Sequence, residues 1–345
     1  MNPFASYRAI NTKLHTKRRT FLSKSEWNKI SQCQNVDQVV ESLKKREGYK
    51  LVMDSYKISH FNRSDLEMVL DRYQVAEIEE ILHYFSGIYK EFFKTFLMEY
   101  EIRDLELILR CIVNSEEMSD IENLLIHSKK WESVNYQKLT HCKNVPQFIE
   151  VLKGTKYYNV LKTLTQEDVT KREFHMEMKL YMLFYSHLIH KAAQLKPKDE
   201  KIAKEIIGIK IDFLNIQWIY RALKYYDILP EEILIYSLPN GNKLGYRKLK
   251  KLSYSKNIEE FKKQIEKYLR YPLFKGNNDT FLDCQIDRYL YQIVSRMNRD
   301  NESIAFSIAY LYLLGIEVND LVALTEGIRY TLSENEISKY LVHSI

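Results

Sequence analysis

Three short sequence elements occur three times each along this chain of 345 residues, in the same order and at intervals of about 110 residues. Any one of them can arise by chance, because apolar residues at helical spacing are common in helical proteins. Three elements that keep one order and nearly one period indicate a triplicated structural unit. Such a chain folds as a series of similar units in which neighbours share their cores.

The first element is an asparagine followed by apolar residues and a tyrosine. Its copies run from Asn35 to Tyr49, from Asn144 to Tyr158 and from Asn257 to Tyr271. The second element is a pair of acidic residues four positions apart. These pairs are Glu67 and Asp71, Glu173 and Glu177, and Asp283 and Asp287.

The third element places an acidic residue, a second polar residue three positions later and an apolar stripe on one helix. Residues three apart share a helix face, so the two polar side chains of each copy lie on the same side. The copies contain Glu101, Asp104 and Arg110, then Asp212, Asn215 and Arg221, then Glu317 and Asp320, with Glu326 where the other copies have arginine.

The composition predicts an all-α fold. Only 9 glycines and 6 prolines interrupt the chain, which leaves little turn chemistry for a many-stranded sheet. Helix starts are indicated by two sequences of capping-box form, Ser23 with Glu26 and Ser333 with Glu336. A third start is indicated at Pro230, which is followed by two glutamates.

The repeat also predicts the domain organisation. We expect an N-terminal helical segment followed by three helical repeats of about 110 residues, each long enough to bury apolar surface. The predicted ranges are 1–30 for the segment and 31–138, 139–247 and 248–345 for the repeats.

The sequence predicts neither a signal peptide nor a transmembrane segment. The first 35 residues are polar and basic, and the uncharged run Ser303 to Ile316 is shorter than the roughly 20 residues that cross a bilayer. The four cysteines lie far apart, without a Cys-x-x-Cys pair, which is typical of reduced cysteines in a cytoplasmic protein.

No strong catalytic pattern is present in the sequence. His187 and His190 share a helix face but lack further ligands at zinc-site spacing, and His141 beside Cys142 lacks an orienting partner. Neither a phosphate-binding P-loop nor a dinucleotide-binding Gly-x-Gly-x-x-Gly occurs. We therefore predict a non-catalytic protein with no catalytic residues, no cofactor and no metal.

The charge leaves a nucleic-acid or anionic-surface interpretation open. The net charge is +6, and basic runs occur at Lys13–Arg19 and Arg247–Lys251. The 52 basic residues are nevertheless interleaved with 46 acidic ones, as on an ordinary solvated helix face. We predict that the chain does not bind nucleic acid, and we keep a basic nucleic-acid-binding helical protein as an alternative.

Several of these patterns together resemble a known family. The opening Tyr7-Arg8-Ala9-Ile10-Asn11, the asparagine-to-tyrosine elements, the third elements at Glu101 and Asp212, and Tyr310 to Leu321 are similar to the C subunit of rotary V/A-type ATPases. The eukaryotic counterpart is the d subunit of the membrane sector. The resemblance covers nearly the whole chain, and the joint order of its short motifs carries it.

The resemblance implies both a shape and a role. Members of the family are all-helical funnels of three repeats related by a pseudo-threefold axis. One end receives the central shaft, formed by the D and F subunits, and the other rests on the membrane proteolipid ring. The implied function is a non-catalytic central-stalk socket, peripheral on the cytoplasmic face, that couples ATP hydrolysis or synthesis to proton or sodium transport.

Two interpretations of the third element remain open. Its polar residues either contact a partner at the central opening or tie helices together within each repeat, and we favour the second. These residues are Glu101, Asp104, Arg110, Asp212, Asn215, Arg221, Glu317 and Asp320. The alternative to the rotary function is a general helical-repeat adaptor for other proteins, which would bind neither shaft nor ring.

Overall fold

The computed structural model describes residues 3–56, 60–116, 121–171, 173–226, 228–274, 281–297 and 303–343. Within these ranges the regular structure is helical and no strand occurs, which confirms the predicted all-α class. Contacts group the chain into two compact units. Unit 1 comprises Met1–Phe85, Pro197–Ala203 and Glu259–Ile345, and unit 2 comprises Ser86–Lys196 and Lys204–Ile258. The ranges of the three repeats remain predictions.

Each predicted repeat contains several short helices and two long ones. The first five, which belong to unit 1, are α1 (Pro3–Arg18), α2 (Lys24–Ser31), α3 (Val36–Leu43), α4 (Glu47–Asp54) and α5 (Arg63–Leu82). The next eight are α6 (Gly87–Lys94), α7 (Leu97–Asn114), α8 (Tyr136–Leu139), α9 (Val145–Val151), α10 (Tyr158–Leu161), α11 (Gln166–Lys171), α12 (Glu173–Ala192) and α13 (Pro197–Tyr225). The remaining helices are α14 (Pro230–Ile235), α15 (Tyr246–Ser253), α16 (Ile258–Leu269), α17 (Leu282–Met297), α18 (Ala305–Arg329) and α19 (Glu334–Ile337).

The helix starts follow the sequence signals. The capping boxes at Ser23 and Ser333 are both formed, and α14 begins at Pro230 as predicted. The asparagines of the first element are explained as well. Asn35 and Asn144 are the N-cap residues of α3 and α9, and each side chain accepts a hydrogen bond from the backbone amide three positions later.

Unit 1 is built around α18. This helix is apolar on nearly all sides, and it packs against α1, α3, α5 and α17. By length and composition it could cross a membrane, although the sequence predicted no such segment. In the structure 67% of its most apolar stretch is buried by the rest of the protein, and it carries the buried acids Glu317 and Asp320. We interpret α18 as a core helix.

Unit 2 is organised around α7, which packs against α6, α9, α11 and α12. Its apolar residues recur every three or four positions, so one stripe is fully buried, including Ile102, Leu105, Ile108 and Leu109. The helix ends at Asn114, and its C-cap residue Ser115, with a left-handed φ of 53°, closes the last turn. The buried face of α7 also contains Glu101 and Asp104.

Candidate functional site

The acidic residues of the third element are buried, and they bind backbone amides of other segments. We call each pair of polar residues an anchor, with a first position (Glu101, Asp212, Glu317) and a second position (Asp104, Asn215, Asp320). Every one of these six side chains is buried. A buried carboxylate is costly unless hydrogen bonds replace the lost water, so the partners decide whether the arrangement is stable.

The second position of the first anchor holds a loop 22 residues downstream. The Asp104 carboxylate accepts hydrogen bonds from the backbone amides of Ile126 (2.9 Å) and His127 (2.8 Å). Nδ1 of His127 lies 2.7 Å from the same carboxylate, and the imidazole stacks on the Tyr136 ring with centroids 3.5 Å apart. Because a carboxylate accepts but does not donate, Nδ1 carries the hydrogen.

The third anchor repeats these hydrogen bonds, and each of the three bonded residues is displaced by 216 positions. Asp320 accepts hydrogen bonds from the amides of Val342 (2.9 Å) and His343 (2.7 Å), and Nδ1 of His343 lies 2.7 Å away. The His343 ring stacks on Trp27 at 5.0 Å. The segment after α18 is therefore held by the same kind of hydrogen bonds, from two backbone amides and an imidazole to an aspartate, as the loop after α7.

The second anchor uses asparagine, for a reason visible in the loop that it holds. Asn215 accepts from the amide of Leu238 (2.7 Å) and donates to the carbonyl of the same residue (2.9 Å). The next residue is Pro239, which has no N–H to offer a carboxylate. An amide side chain satisfies both backbone groups of Leu238, whereas a carboxylate would satisfy only one of them.

The first positions bind the segments that open the following short helices. Glu101 accepts from the amide (2.8 Å) and the hydroxyl (2.8 Å) of Ser133, from Nζ of Lys156 (2.9 Å) and from the hydroxyl of Tyr157 (2.6 Å). Asp212 accepts from the amides of Lys243 (2.6 Å) and Leu244 (2.9 Å).

In the third anchor, the corresponding partners come from the N-terminal part of the chain. Glu317 accepts from the amide of Leu22 (2.9 Å) and from the hydroxyl of Tyr49 (2.5 Å). Leu22 lies 111 residues before Ser133, and Leu244 lies 111 residues after it. The three bonded amides therefore follow the period of the repeat. The acids of α7 and α13 bind amides that come later in the chain than their own helices, whereas Glu317 of α18 binds an amide near the start of the chain.

Burial changes the acid–base properties of two first positions. Burial raises the pKa of Asp212 to about 6, although the Lys243 and Leu244 amides act to lower it. Burial likewise raises the pKa of Glu317 to about 7, against the lowering effect of the Tyr49 hydroxyl and the Leu22 amide. Desolvation thus outweighs hydrogen bonding at both carboxyls.

One known protein family matches nearly the whole chain, including all three anchors. The family model described as ATP synthase (C/AC39) subunit matches residues 10–340. The chain belongs to this family. The resemblance inferred from the sequence is therefore confirmed.

Curated relatives of this ATP synthase protein are known from several archaea. The C subunit of the A-type ATP synthase of Archaeoglobus fulgidus is 25% identical over 261 residues, which are 74% of this chain and 73% of the relative. The C subunit of the A-type ATP synthase of Pyrococcus abyssi is 21% identical over 97% of this chain and 90% of the relative. The protein of that name from Methanosarcina acetivorans is 21% identical over 98% of this chain and 93% of the relative.

The arginines of the third element lie apart from the anchors of this ATP synthase protein. Arg110 and Arg221 have exposed side chains, whereas the acids of the same helices are buried. At the corresponding position of α18, Glu326 pairs with Arg63 (2.9 Å) and Arg329 (3.2 Å). The buried acids therefore bind backbone amides, and the arginines of the motif are surface residues.

The internal repeat does not identify the partners of the acids. The first element places Tyr158 at the position equivalent to Tyr49, but the hydroxyl that binds Glu101 belongs to Tyr157, one residue earlier. The histidines His127 and His343 were not singled out either, although the dipeptides Ile126-His127 and Val342-His343 recur at the interval that separates the anchors. In the second element, the Glu173 side chain lies outside the described part of the structure, and Asp71 is buried.

The weak catalytic candidates have ordinary local partners. Nδ1 of His187 lies 3.0 Å from the Leu183 carbonyl, and His190 contacts Gln194. Cys142 is buried, and burial raises the pKa of its thiol, which disfavours the reactive thiolate. Among the residues that the structure describes, no three His, Cys, Asp or Glu side chains are grouped as metal ligands would be.

Proposed function

We propose that this protein is a non-catalytic socket of the central stalk, which connects the shaft formed by the D and F subunits to the membrane proteolipid ring. In this role it passes torque between ATP hydrolysis or synthesis and the transport of protons or sodium ions. The observation that carries the proposal is the family match over residues 10–340, together with relatives that align over nearly their whole length.

The anchors fit a part that must transmit torque without bending. Each one fixes a connecting segment to a long buried helix through two or more hydrogen bonds to a carboxylate or amide. Hydrogen bonds to charged groups contribute about 1.5–3 kcal/mol each, more than those between neutral groups. We assign the six anchor residues this structural role, and Arg110 and Arg221 are the members of the motif that lie on the surface.

The proposed location is the cytoplasmic face of the membrane, with the protein held there peripherally by its partners. The burial of α18 inside unit 1 supports attachment through protein contacts, because a core helix cannot leave its unit to enter a bilayer without exposing the surface that it covers. We also propose that the three repeats form the funnel that the family resemblance predicts.

Co-purification tests the proposal directly. The tagged chain is mixed with the purified D and F subunits and with the detergent-solubilised proteolipid ring of the same organism, at low and at high salt. We expect capture of both partners by one chain. Capture of neither partner by a protein whose circular dichroism is helical contradicts the socket and favours a general helical adaptor. Asp104→Asn, which weakens the α7 anchor, should lower the stability of the protein while the folded fraction keeps its affinity for both partners.

A further inference from the structure

The exposed face of α15 combines tyrosines with an unbroken set of basic residues. Leu249 and Leu252 are buried, so the helix is fixed to unit 2 through its apolar side. Tyr246, Lys250 and Tyr254 follow one another at intervals of four on the opposite side. Arg247 and Lys251 form a second exposed row beside them, and α15 contains no acidic residue.

Helix α14 adds an aliphatic residue to the same surface. The hydroxyl of Tyr254 donates to Oε1 of Glu231 at 2.5 Å, which places that face of α14 beside α15. Ile235 lies one turn after Glu231 on the same face, and it is 70% exposed. We call the six residues Ile235, Tyr246, Arg247, Lys250, Lys251 and Tyr254 the α15 surface.

This surface has the composition of a protein interface. Tyr246 is 67% exposed and Tyr254 45% exposed, and large side chains of this kind contribute binding energy when a partner covers them. Aromatic residues and arginine are enriched at such interfaces. Around them, Arg247, Lys250 and Lys251 give the surface a positive potential that attracts acidic groups.

We propose that the α15 surface docks an acidic segment of another subunit of the ATP synthase. The inference deepens the proposed function and rests on it for the identity of the complex, since it requires that the partner be the shaft or the ring. The basic run Arg247–Lys251 is part of this surface. From the sequence alone, its partner could be a nucleic acid or another anionic surface.

Two observations favour a protein over a membrane or a nucleic acid. An amphipathic helix enters a bilayer through its apolar face, but the apolar face of α15 is already buried against unit 2. Glu231 also lies at the border of the α15 surface, in contact with Tyr254. A carboxylate at that position repels a continuous array of phosphates, whereas a protein partner can place its acids over the lysines and a donor over Glu231.

The test compares two charge reversals of equal size. Arg247→Glu/Lys251→Glu reverses two exposed charges one helical turn apart on α15. Lys263→Glu/Lys267→Glu reverses two exposed charges at the same spacing on α16, and it serves as the control. A second pair, Tyr246→Ala and Tyr330→Ala, removes exposed tyrosines from the α15 surface and from the end of α18. All four variants change exposed side chains, so each should keep the helical circular dichroism of the wild type.

Binding is measured with two probes, the purified D–F shaft and the detergent-solubilised ring, at several salt concentrations. Arg247→Glu/Lys251→Glu should weaken binding to one of them about tenfold and flatten its salt dependence. Tyr246→Ala should weaken the same interaction, and both controls should bind within about twofold of the wild type. Phosphatidylcholine vesicles with and without phosphatidylglycerol, and a duplex DNA, are run in parallel.

The outcomes distinguish a failure of the docking inference from a failure of the proposed socket function. Equal binding by the two charge-reversal variants overturns the α15 surface and leaves the socket intact. Loss of vesicle or DNA binding in Arg247→Glu/Lys251→Glu, with shaft and ring binding unchanged, also overturns it and identifies a phosphate-binding face. If the wild type binds neither shaft nor ring, the proposed function and the docking inference both fail.

Discussion

Replacing Asp104 by asparagine tests the anchor chemistry with a change of one atom. The carboxylate of Asp104 accepts hydrogen bonds from the backbone amides of Ile126 and His127 and from Nδ1–H of His127, and the residue is 1% exposed. An asparagine offers one acceptor oxygen, and its NH₂ group must face at least one of these donors. A buried donor then loses its acceptor.

The magnitude follows from the contacts that are lost. A hydrogen bond to a charged group contributes about 1.5–3 kcal/mol, and a buried donor without a partner costs about 1–3 kcal/mol. The neutral side chain avoids the cost of burying a charge, which offsets part of this loss. We therefore expect Asp104→Asn to lower the free energy of unfolding of unit 2 by about 2–4 kcal/mol.

Urea unfolding followed by circular dichroism measures the total loss, and hydrogen exchange of the segment from Ile121 to Asn135 measures it locally. Exchange at Ile126 and His127 should accelerate most. Arg110→Gln, on the exposed face of the same helix, is the matched control and should stay within about 0.5 kcal/mol of the wild type. Equal stability of the two variants would refute the reasoning.

The second anchor supplies the converse test. Asn215→Asp should destabilise unit 2, because a carboxylate oxygen would face the Leu238 carbonyl at about the present 2.9 Å contact. Adding Pro239→His supplies the N–H and the imidazole that the other two anchors have. The double variant should therefore recover at least about 1 kcal/mol relative to the sum of the single variants, as a mutant cycle would measure. Simple additivity would contradict the explanation given for Asn215.

Three further predictions concern the first positions. Burial raises the pKa of Glu317 to about 7, so the folded state retains a proton that the unfolded state loses above about pH 4.5. The unfolding free energy should therefore fall by about 3 kcal/mol between about pH 5 and pH 8, and urea unfolding should show that Glu317→Gln lacks this part of the pH dependence. Gly241→Ala should cost about 1–3 kcal/mol, because its Cβ would collide with Oδ1 of Asp212. Gly245→Ala meets open space and should lower the melting temperature less, by the loss of a favoured N-cap glycine alone. In urea unfolding, Tyr157→Phe should cost about 1–3 kcal/mol and Tyr158→Phe under about 0.5 kcal/mol. A larger cost for Tyr158→Phe would indicate that Tyr158 is the equivalent of Tyr49, as the repeat predicts.

Much of the local structure could be predicted from the sequence, because the signals are local. Capping residues act within one turn, so Ser23, Ser333 and Pro230 identify helix starts without knowledge of the fold. Scarcity of glycine and proline likewise excludes a sheet-rich fold. The i, i+3 spacing of Glu101 and Asp104 correctly places both side chains on one helix face.

The anchors themselves were beyond such reasoning, because the partners of their acids are mostly backbone amides. An amide is present at every residue except proline, so nothing in the letters marks Ile126 or Leu22 as a donor. The residue identities that do carry a signal, His127, His343 and Pro239, acquire their meaning only once the loops are seen beside Asp104, Asp320 and Asn215. Helix α18 illustrates the same difficulty, since an apolar helix is buried by neighbours that its own sequence does not name.

The contacts of Glu317 have a consequence for the order in which the chain folds. In unit 2, the partners of Glu101 and Asp212 lie at most 56 residues away, so these anchors can close soon after their helices are synthesised. Leu22 and Tyr49 must instead wait for Glu317, which lies 295 and 268 residues later. Closing such long loops costs more entropy and slows folding. During translation, Leu22 and Tyr49 therefore remain without their buried partner until α18 leaves the ribosome, and in that interval the apolar surface around them is open to chaperones.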